Sequence, residues 1–207
     1  MRFYEERILP HLVNKACATR QVRQLRSQIV PHARGRVLEV GMGSGLNLEF
    51  YNREQVDMVY GLEPSEGMRR KAIPNIGKSP VAVEWLSLPG EQIPLPDESI
   101  DTVLLTFTLC TIPDWRKALE QMKRVLKPGG ELLFLEHGEA PHEGTRKWQH
   151  RITPAWKKFA GGCHLNRHIA DLITHCGFEI QELENLYMPN APKIAGYLYK
   201  GRAIKPL

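Results

Sequence analysis

The sequence predicts an α/β fold: a seven-stranded, mostly parallel sheet with helices on both faces. Three observations predict it. An apolar run at 37–40 leads directly into three glycines at alternate positions, Gly41, Gly43 and Gly45. Short apolar runs of strand length then alternate along the chain with stretches of helical period, the pattern of strand-helix-strand units. An acidic residue, Glu63, closes the second such run, eighteen residues after Gly45.

The elements follow in order. The N-terminal segment has two helical stretches, with apolar Ile8, Leu9, Leu12, Val13 and Ala16, then Val22, Leu25 and Ile29. Its arginines at 20, 23 and 26 fall on a largely separate face, so residues 1–34 read as a helical cap. Residues 37–40 form a buried parallel strand, the glycines turn the chain, and LNLEFYN resumes a helical pattern. Strand two runs over 57–62 and ends at Glu63; SEGMRRKAI is a helix with Ser65 as N-cap and Pro74 beyond its end. Strand three is 81–86, and SLPGEQIPLPDES is too rich in proline for a regular element. Strand four, 100–109, is apolar enough to be covered on both sides. The helix over 114–126 has Asp114 as its cap, a buried stripe of Ala118, Leu119, Met122, Val125 and Leu126, and KPGG to stop it. Strand five, 131–136, ends in EHG, which places Glu136 and His137 at the carboxyl edge of the sheet. A helix over 169–176 takes Asn166 as N-cap, and runs at 177–188 and 193–201, separated by Pro189, Asn190 and Pro192, close the chain as a hairpin.

A glycine turn between a strand's carboxyl end and a helix N-terminus is where open α/β sheets bind ligands, because bare backbone can approach closely there. Glu63 can accept both hydroxyls of a ribose. A nicotinamide dinucleotide is the competing ligand, but the spacing here is G-x-G-x-G and not G-x-G-x-x-G. Glu39, just ahead of the loop, would also repel a pyrophosphate while helping to hold an ammonium group. An aminoacyl nucleoside such as S-adenosylmethionine has the ammonium and the ribose and carries no phosphate.

VLEVGMGSG, then LEPS, then PLPDESIDTVLLTFTLCTIPD, then VLKPGGELLFLEHG resembles the ordered motif set of the class I S-adenosylmethionine-dependent methyltransferases, over residues 35–138. The resemblance implies a Rossmann-like sheet whose last strand is antiparallel, and S-adenosylmethionine as cofactor. It implies cofactor contacts from Glu39, Gly41, Gly43, Gly45, Glu63 and Pro64, with Met68 facing the adenosine and Thr106 near the methionine portion. It also places Leu88, Pro89 and Gly90 against adenine. Pro89 stands where many relatives carry Asp, so backbone around Gly90 takes over adenine recognition.

At 207 residues the chain fits a single methyltransferase domain, residues 1–207. Its four cysteines are widely spaced with no C-x-x-C pair, and its histidines match no compact ligand motif, so neither a disulfide framework nor a metal is expected. No apolar run reaches the length of a membrane span, and MRFYEERILP lacks a signal-peptide core, so a cytoplasmic enzyme is expected. The net charge of +5 belongs to residues 1–36, which hold eight Lys/Arg against two Asp/Glu. That segment could touch anionic lipid at a membrane periphery; the plainer expectation is a solvated face of helices packed beside or over the cofactor. Basic and aromatic residues do not interleave, so nucleic acid is not an expected partner. No signal for an oligomeric state is present.

The methyl acceptor should meet the insertion 138–167, a lid beside the methyl end of the cofactor, with Trp148, Trp156, Phe159, Cys163 and His164. Trp148 and Trp156 share a helix face if Pro154 only kinks the helix, which suits an apolar acceptor. LEHG, WQHRITPAWKKFAGGCHLNR, CGFEI and GYLYKG narrow the resemblance to the methyltransferase-like seven group, the alkyl-thiol S-methyltransferases, and bacterial relatives, over 35–202. The expected function is methyl transfer to a small apolar acceptor, first a thiol. His137 and His164 would steer a proton away from it, and Cys110, Trp148, Trp156, Cys163 and Asn166 would line its site. The alternatives are a phospholipid or small-amine N-methyltransferase, and a cofactor-binding regulatory module without chemistry.

Overall fold

In the computed structural model, which describes residues 8–207, the strands are β1 (Gly35–Val40), β2 (Val56–Leu62), β3 (Val83–Leu86), β4 (Ile100–Thr106), β5 (Leu126–His137), β6 (Glu179–Tyr187) and β7 (Tyr197–Ile204). They form one sheet in the order β3-β2-β1-β4-β5-β7-β6. Only β7 runs against the others, pairing antiparallel with both β5 and β6. The helices are α1 (Leu9–Cys17), α2 (Arg20–Ile29), α3 (Glu66–Ile76), α4 (Trp115–Val125), α5 (Glu143–Phe159) and α6 (Ile169–His175). Residues 1–7 of the expected cap lie outside the described residues.

The near-continuous apolar runs of the central strands divide between two cores with the period of two that a pleated strand imposes. Leu38, Val40, Val103, Leu105, Leu132 and Phe134 face one side, where Ala118, Leu119 and Met122 of α4 and Ile169 and Ile173 of α6 cover them. Val37, Leu104, Leu133 and Leu135 face the other, against Leu25 and Ile29 of α2. Every parallel strand therefore delivers its carboxyl end to the same edge, and β1, β4 and β5 deliver theirs side by side.

Several local expectations are corrected. LNLEFYN makes only a 3-10 turn at Leu48–Phe50; the run is too short to nucleate a helix, and the Tyr51 hydroxyl is drawn onto Glu39. α3 continues through Pro74 to Ile76. Its last turn is held by Asn75, whose Nδ2 donates to the Ser44 carbonyl at 2.8 Å. Strand four stops at Thr106 and not 109, because Phe107 takes φ 57° and the following amides turn toward Glu136. KPGG does follow a helix, which ends at Val125, but its residues already belong to β5. The residue capping α6 is His168, not Asn166, whose amide is engaged with His150 of α5. Arg26 does not lie on the solvated face of α2: it is buried, 5% exposed, with the apolar residues of that helix.

Candidate active site

The glycine loop and the end of β2 meet at the carboxyl edge. Gly41, Gly43 and Gly45 have φ of 69°, 59° and 74°, a region that side-chain-bearing residues adopt only under strain. A Cβ on Gly41 would come within 2.2 Å of Thr108 Oγ1, and one on Gly43 within 3.1 Å of Met68 Cε. Backbone and the half-buried Met68 thus converge on one spot. Glu63 sits beside them, its Oε2 accepting the Gly43 N–H at 2.9 Å and its Oε1 the Ser65 N–H at 2.8 Å. Burial raises its pKa, against those two bonds and the charge of Arg69. Pro64 is exposed, and its carbonyl accepts from Arg69 at 2.9 Å. Across the loop, Gly90 is buried with Val40, Ile112 and Ala118 about it, while Leu88 is exposed and the Pro89 carbonyl accepts from Gln92 at 2.9 Å.

Under the glycine loop lies a buried polar network that sequence reading captures only in part. Glu39 accepts Asn47 Nδ2 at 2.8 Å and the Tyr51 hydroxyl at 2.7 Å. Burial lifts its carboxyl to about 7, against those bonds and the charge of Arg26. Thr106 Oγ1 accepts Arg26 NH1 at 2.8 Å and Asn47 Nδ2 at 3.0 Å. Arg26 NH1 also donates to Asn47 Oδ1 at 2.5 Å, and its guanidinium lies over Phe107. Its Nε is buried and has no hydrogen-bond partner among the described residues. Arg26, Asn47 and Tyr51 were absent from the predicted site. Asn47 and Tyr51 carry a weak signal, since they closely follow the glycines; Arg26 carries none, because arginine on an amphipathic helix normally reads as solvated.

The acceptor side is organised by Glu136. Its buried carboxylate accepts the N–H groups of Thr108 at 2.7 Å, Leu109 at 3.0 Å and Cys110 at 3.3 Å. This pins the loop after β4, and the Thr108 hydroxyl reaches the Gly41 carbonyl at 3.4 Å. The pinned Cys110 meets Cys163 and His137: among the described residues these offer donor atoms that all lie within 4.8 Å of one another. Cys163 Sγ is 2.8 Å from His137 Nε2. A hydrogen bond from Cys110 and then the His137 imidazole hold the Cys163 thiol down to about 4, against its burial. Burial opposes a charged His137, yet Cys163 beside it leaves its pKa raised. His164 joins the group: its N–H donates to the Cys110 carbonyl at 2.8 Å, and its Nδ1 is 3.2 Å from the same oxygen. Burial, then Arg167, lowers its pKa. Spacing along the chain gave no ligand motif because the three donors come from three separate segments.

The remaining predicted residues scatter. Trp148 is 57% exposed, with Arg151 over its ring at 5.5 Å, and Trp156 is 36% exposed but hydrogen-bonded to Cys163. Asn166 Nδ2 is 3.2 Å from His150 Nδ1, so it ties the segment before α6 to α5. An open groove of about 500 Å³ lies elsewhere, lined by ion-paired residues such as Glu131, Glu182, Lys200 and Arg202. It opens away from the carboxyl edge, on the flank of α2, and takes no part in the site.

A seven-stranded sheet of this order with a glycine loop and an acidic residue at its carboxyl edge defines a class, and the comparisons agree. The chain belongs to the class I S-adenosylmethionine-dependent methyltransferases, enzymes that use S-adenosylmethionine as methyl donor. Residues 38–134 match the Methyltransferase domain family. The chain is 32% identical to thiol S-methyltransferase TMT1B of Rattus norvegicus over 79% of this chain and 70% of that protein. It is 34% identical to phosphatidylethanolamine N-methyltransferase of Cereibacter sphaeroides over 50% of this chain and 51% of that one. A crystal structure of an S-adenosylmethionine-dependent methyltransferase from Mesorhizobium loti superposes with a TM-score of 0.66 over 90% of this chain and 98% of the other. At 17% identity, that match speaks for the fold alone.

Proposed function

We propose that this enzyme methylates the sulfur of a small, apolar thiol, as a cytoplasmic protein in which residues 8–34 cap the cofactor and 138–167 form a lid over the acceptor. In this reading the Glu63 carboxylate takes the ribose hydroxyls, and Pro64 and Met68 flank the adenosine. Leu88, Pro89 and Gly90 border the adenine. The bare backbone at 41–45 lets the methionine portion descend toward Thr106. There Glu39 meets the ammonium and Arg26 the carboxylate, so the two ends of the zwitterion find opposite charges.

Methyl transfer from a sulfonium is an in-line displacement. The acceptor's lone pair forms the new bond to carbon while the electrons of the old C–S bond return to the donor sulfur. Holding the three atoms in line contributes about 7 to 11 kcal/mol relative to free encounter. A thiol asks for little more, since a few per cent is already thiolate at neutral pH, whereas only roughly 0.04 per cent of an alkylamine is neutral. His164 suits the remaining task. With Nδ1 donating to the Cys110 carbonyl, the neutral tautomer carries its lone pair on Nε2, where it can accept the thiol proton. Its lowered pKa keeps that form populated.

The observation that carries the thiol reading is the extent of the likeness to thiol S-methyltransferase TMT1B: 174 residues, 79% of this chain, reach well beyond the matched family segment 38–134. The likeness to the phosphatidylethanolamine N-methyltransferase spans 106 residues, about the length of the cofactor-binding portion alone. Incubation with labelled cofactor and an alkyl thiol, beside phosphatidylethanolamine vesicles, tests the choice. Labelled thioether with unlabelled lipid is the expected result, and labelled lipid with untouched thiol reverses it.

A further inference from the structure

Cys110, His137 and Cys163 stand out because nothing in the cofactor chemistry calls for them together. Two sulfurs and an imidazole converge within 4.8 Å of one another, and both cysteines are buried. Each donor is held from behind. Cys110 is pinned by its N–H to Glu136 at 3.3 Å, with Thr108 and Leu109 bonded to the same carboxylate. The segment carrying Cys163 is tied to Cys110 by the His164 N–H to the Cys110 carbonyl, and the Cys163 N–H bonds Ala160. His137 ends β5, its Nε2 on Cys163 and its buried Nδ1 without a partner among the described residues. A half-buried imidazole whose buried Nδ1 is left unpaired beside two sulfurs is an unusual thing to fold around, since buried polar atoms are nearly always paired.

We propose that Cys110 Sγ, Cys163 Sγ and a ring nitrogen of His137 bind a thiophilic divalent cation of the zinc class, leaving its fourth position for the acceptor thiol. The donor set is the one that suits such an ion, and a two-sulfur, one-nitrogen set with an open position is a catalytic pattern rather than a structural one. Zinc–sulfur bonds of about 2.3 Å and zinc–nitrogen bonds of about 2.0–2.1 Å put tetrahedral donors about 3.5 to 3.8 Å apart. A donor pair as far apart as 4.8 Å must draw in by about an ångström, and Cys163 Sγ and His137 Nε2, now 2.8 Å apart, must part by roughly 0.7 Å to admit an ion.

The role of the fourth position rests on the thiol reading given above; the cation site itself does not. At that position the acceptor thiol loses its proton to solvent and binds as thiolate. A sulfur lone pair then forms the S–CH3 bond, the C–S bond of the sulfonium breaks, and its electron pair stays on the donor sulfur. The neutral thioether is a weak ligand and leaves, and neither metal nor protein changes oxidation state.

Cobalt(II) in place of zinc tests both halves on the whole chain. After chelator treatment and dialysis, titration with cobalt(II) should give a thiolate-to-cobalt charge-transfer band that saturates at one equivalent. Cys163→Ser and His137→Asn should each weaken cobalt binding about a hundredfold or more, while Cys176→Ser, outside the cluster, leaves it unchanged. The wild-type spectrum stands as evidence even where a variant fails to fold. A missing band with all four thiols free overturns the cation site, and so does a Cys110–Cys163 disulfide in peptide mass mapping of the untreated protein. An alkyl thiol added without cofactor should shift the visible cobalt bands. Bands that stay unshifted while the loaded enzyme methylates the thiol overturn the acceptor's place on the ion and leave the thiol reading intact. Shifted bands with no methylated thiol from the loaded enzyme count against the thiol reading and leave the cation site standing.

Discussion

Glu63 shows how a single side chain acquires a task. Its position after β2 makes it an acceptor at the sheet edge, and two backbone N–H groups at 2.8 and 2.9 Å aim its oxygens. In the role proposed for it, replacement with alanine removes charged hydrogen bonds to the ribose. S-adenosylmethionine binding should weaken by about 1.5 to 3 kcal/mol in calorimetry, and unchanged affinity would remove the residue from the role proposed for it. The glycines beside it were legible for the same local reason: φ near 60–70° at Gly41 and Gly43 leaves a signature in the residue type itself. Arg26 is the opposite case. Its burial is decided by Asn47 and Thr106, 21 and 80 residues away in sequence, and no local pattern announces such partners.

At the scale of elements, the strands were readable because burial on both faces leaves an apolar run, and their ends were readable only where a residue type marks them. Residues 100–106 of β4 place Val103 and Leu105 in one core and Leu104 in the other. Leu104→Ala empties a fully buried site between β1 and β5. It should cost about 2 to 5 kcal/mol in denaturant unfolding with cofactor absent; a loss below about 1 kcal/mol would mean that this core relaxes far more than close packing allows. Of the three residues lost from the predicted end of this strand, Phe107, Thr108 and Leu109, the last two turn their N–H groups to Glu136, as Cys110 just beyond them does. A carboxylate on the neighbouring strand competed with the ladder and won, because it offers charged hydrogen bonds to three amides at once.

Over the whole molecule, the buried Glu39 couples folding to protons. Its carboxyl is lifted from 4.5 to about 7, so the folded chain binds a proton that the unfolded chain releases. The resulting stability is complete below about pH 4.5 and is lost as pH rises through about 7, a swing of roughly 3 kcal/mol. Denaturant midpoints compared between about pH 5 and about pH 8 should carry this falling limb in the wild type and lose it in Glu39→Gln, read as the difference between the two proteins because the lowered Cys163 thiol contributes in the opposite sense over the same range. S-adenosylhomocysteine should shrink the limb in the wild type, because its ammonium stabilises the ionised carboxylate. A limb that persists unchanged in Glu39→Gln would assign the effect to other buried acids, Glu63 and Glu136 among them.

The sequence by itself determined the sheet, the glycine loop, Glu63 and, with the family they define, the methyl donor. Each of these depends on neighbours a few residues apart, and chain geometry writes such short-range demands into spacing. The tertiary structure alone decided that Arg26 joins Asn47 and Thr106 under the loop, and that Cys110, His137 and Cys163 share one small volume. Those groupings depend on which strand ends and loops the sheet order sets side by side, and side chains drawn from segments far apart in sequence carry no common period or spacing before the chain folds.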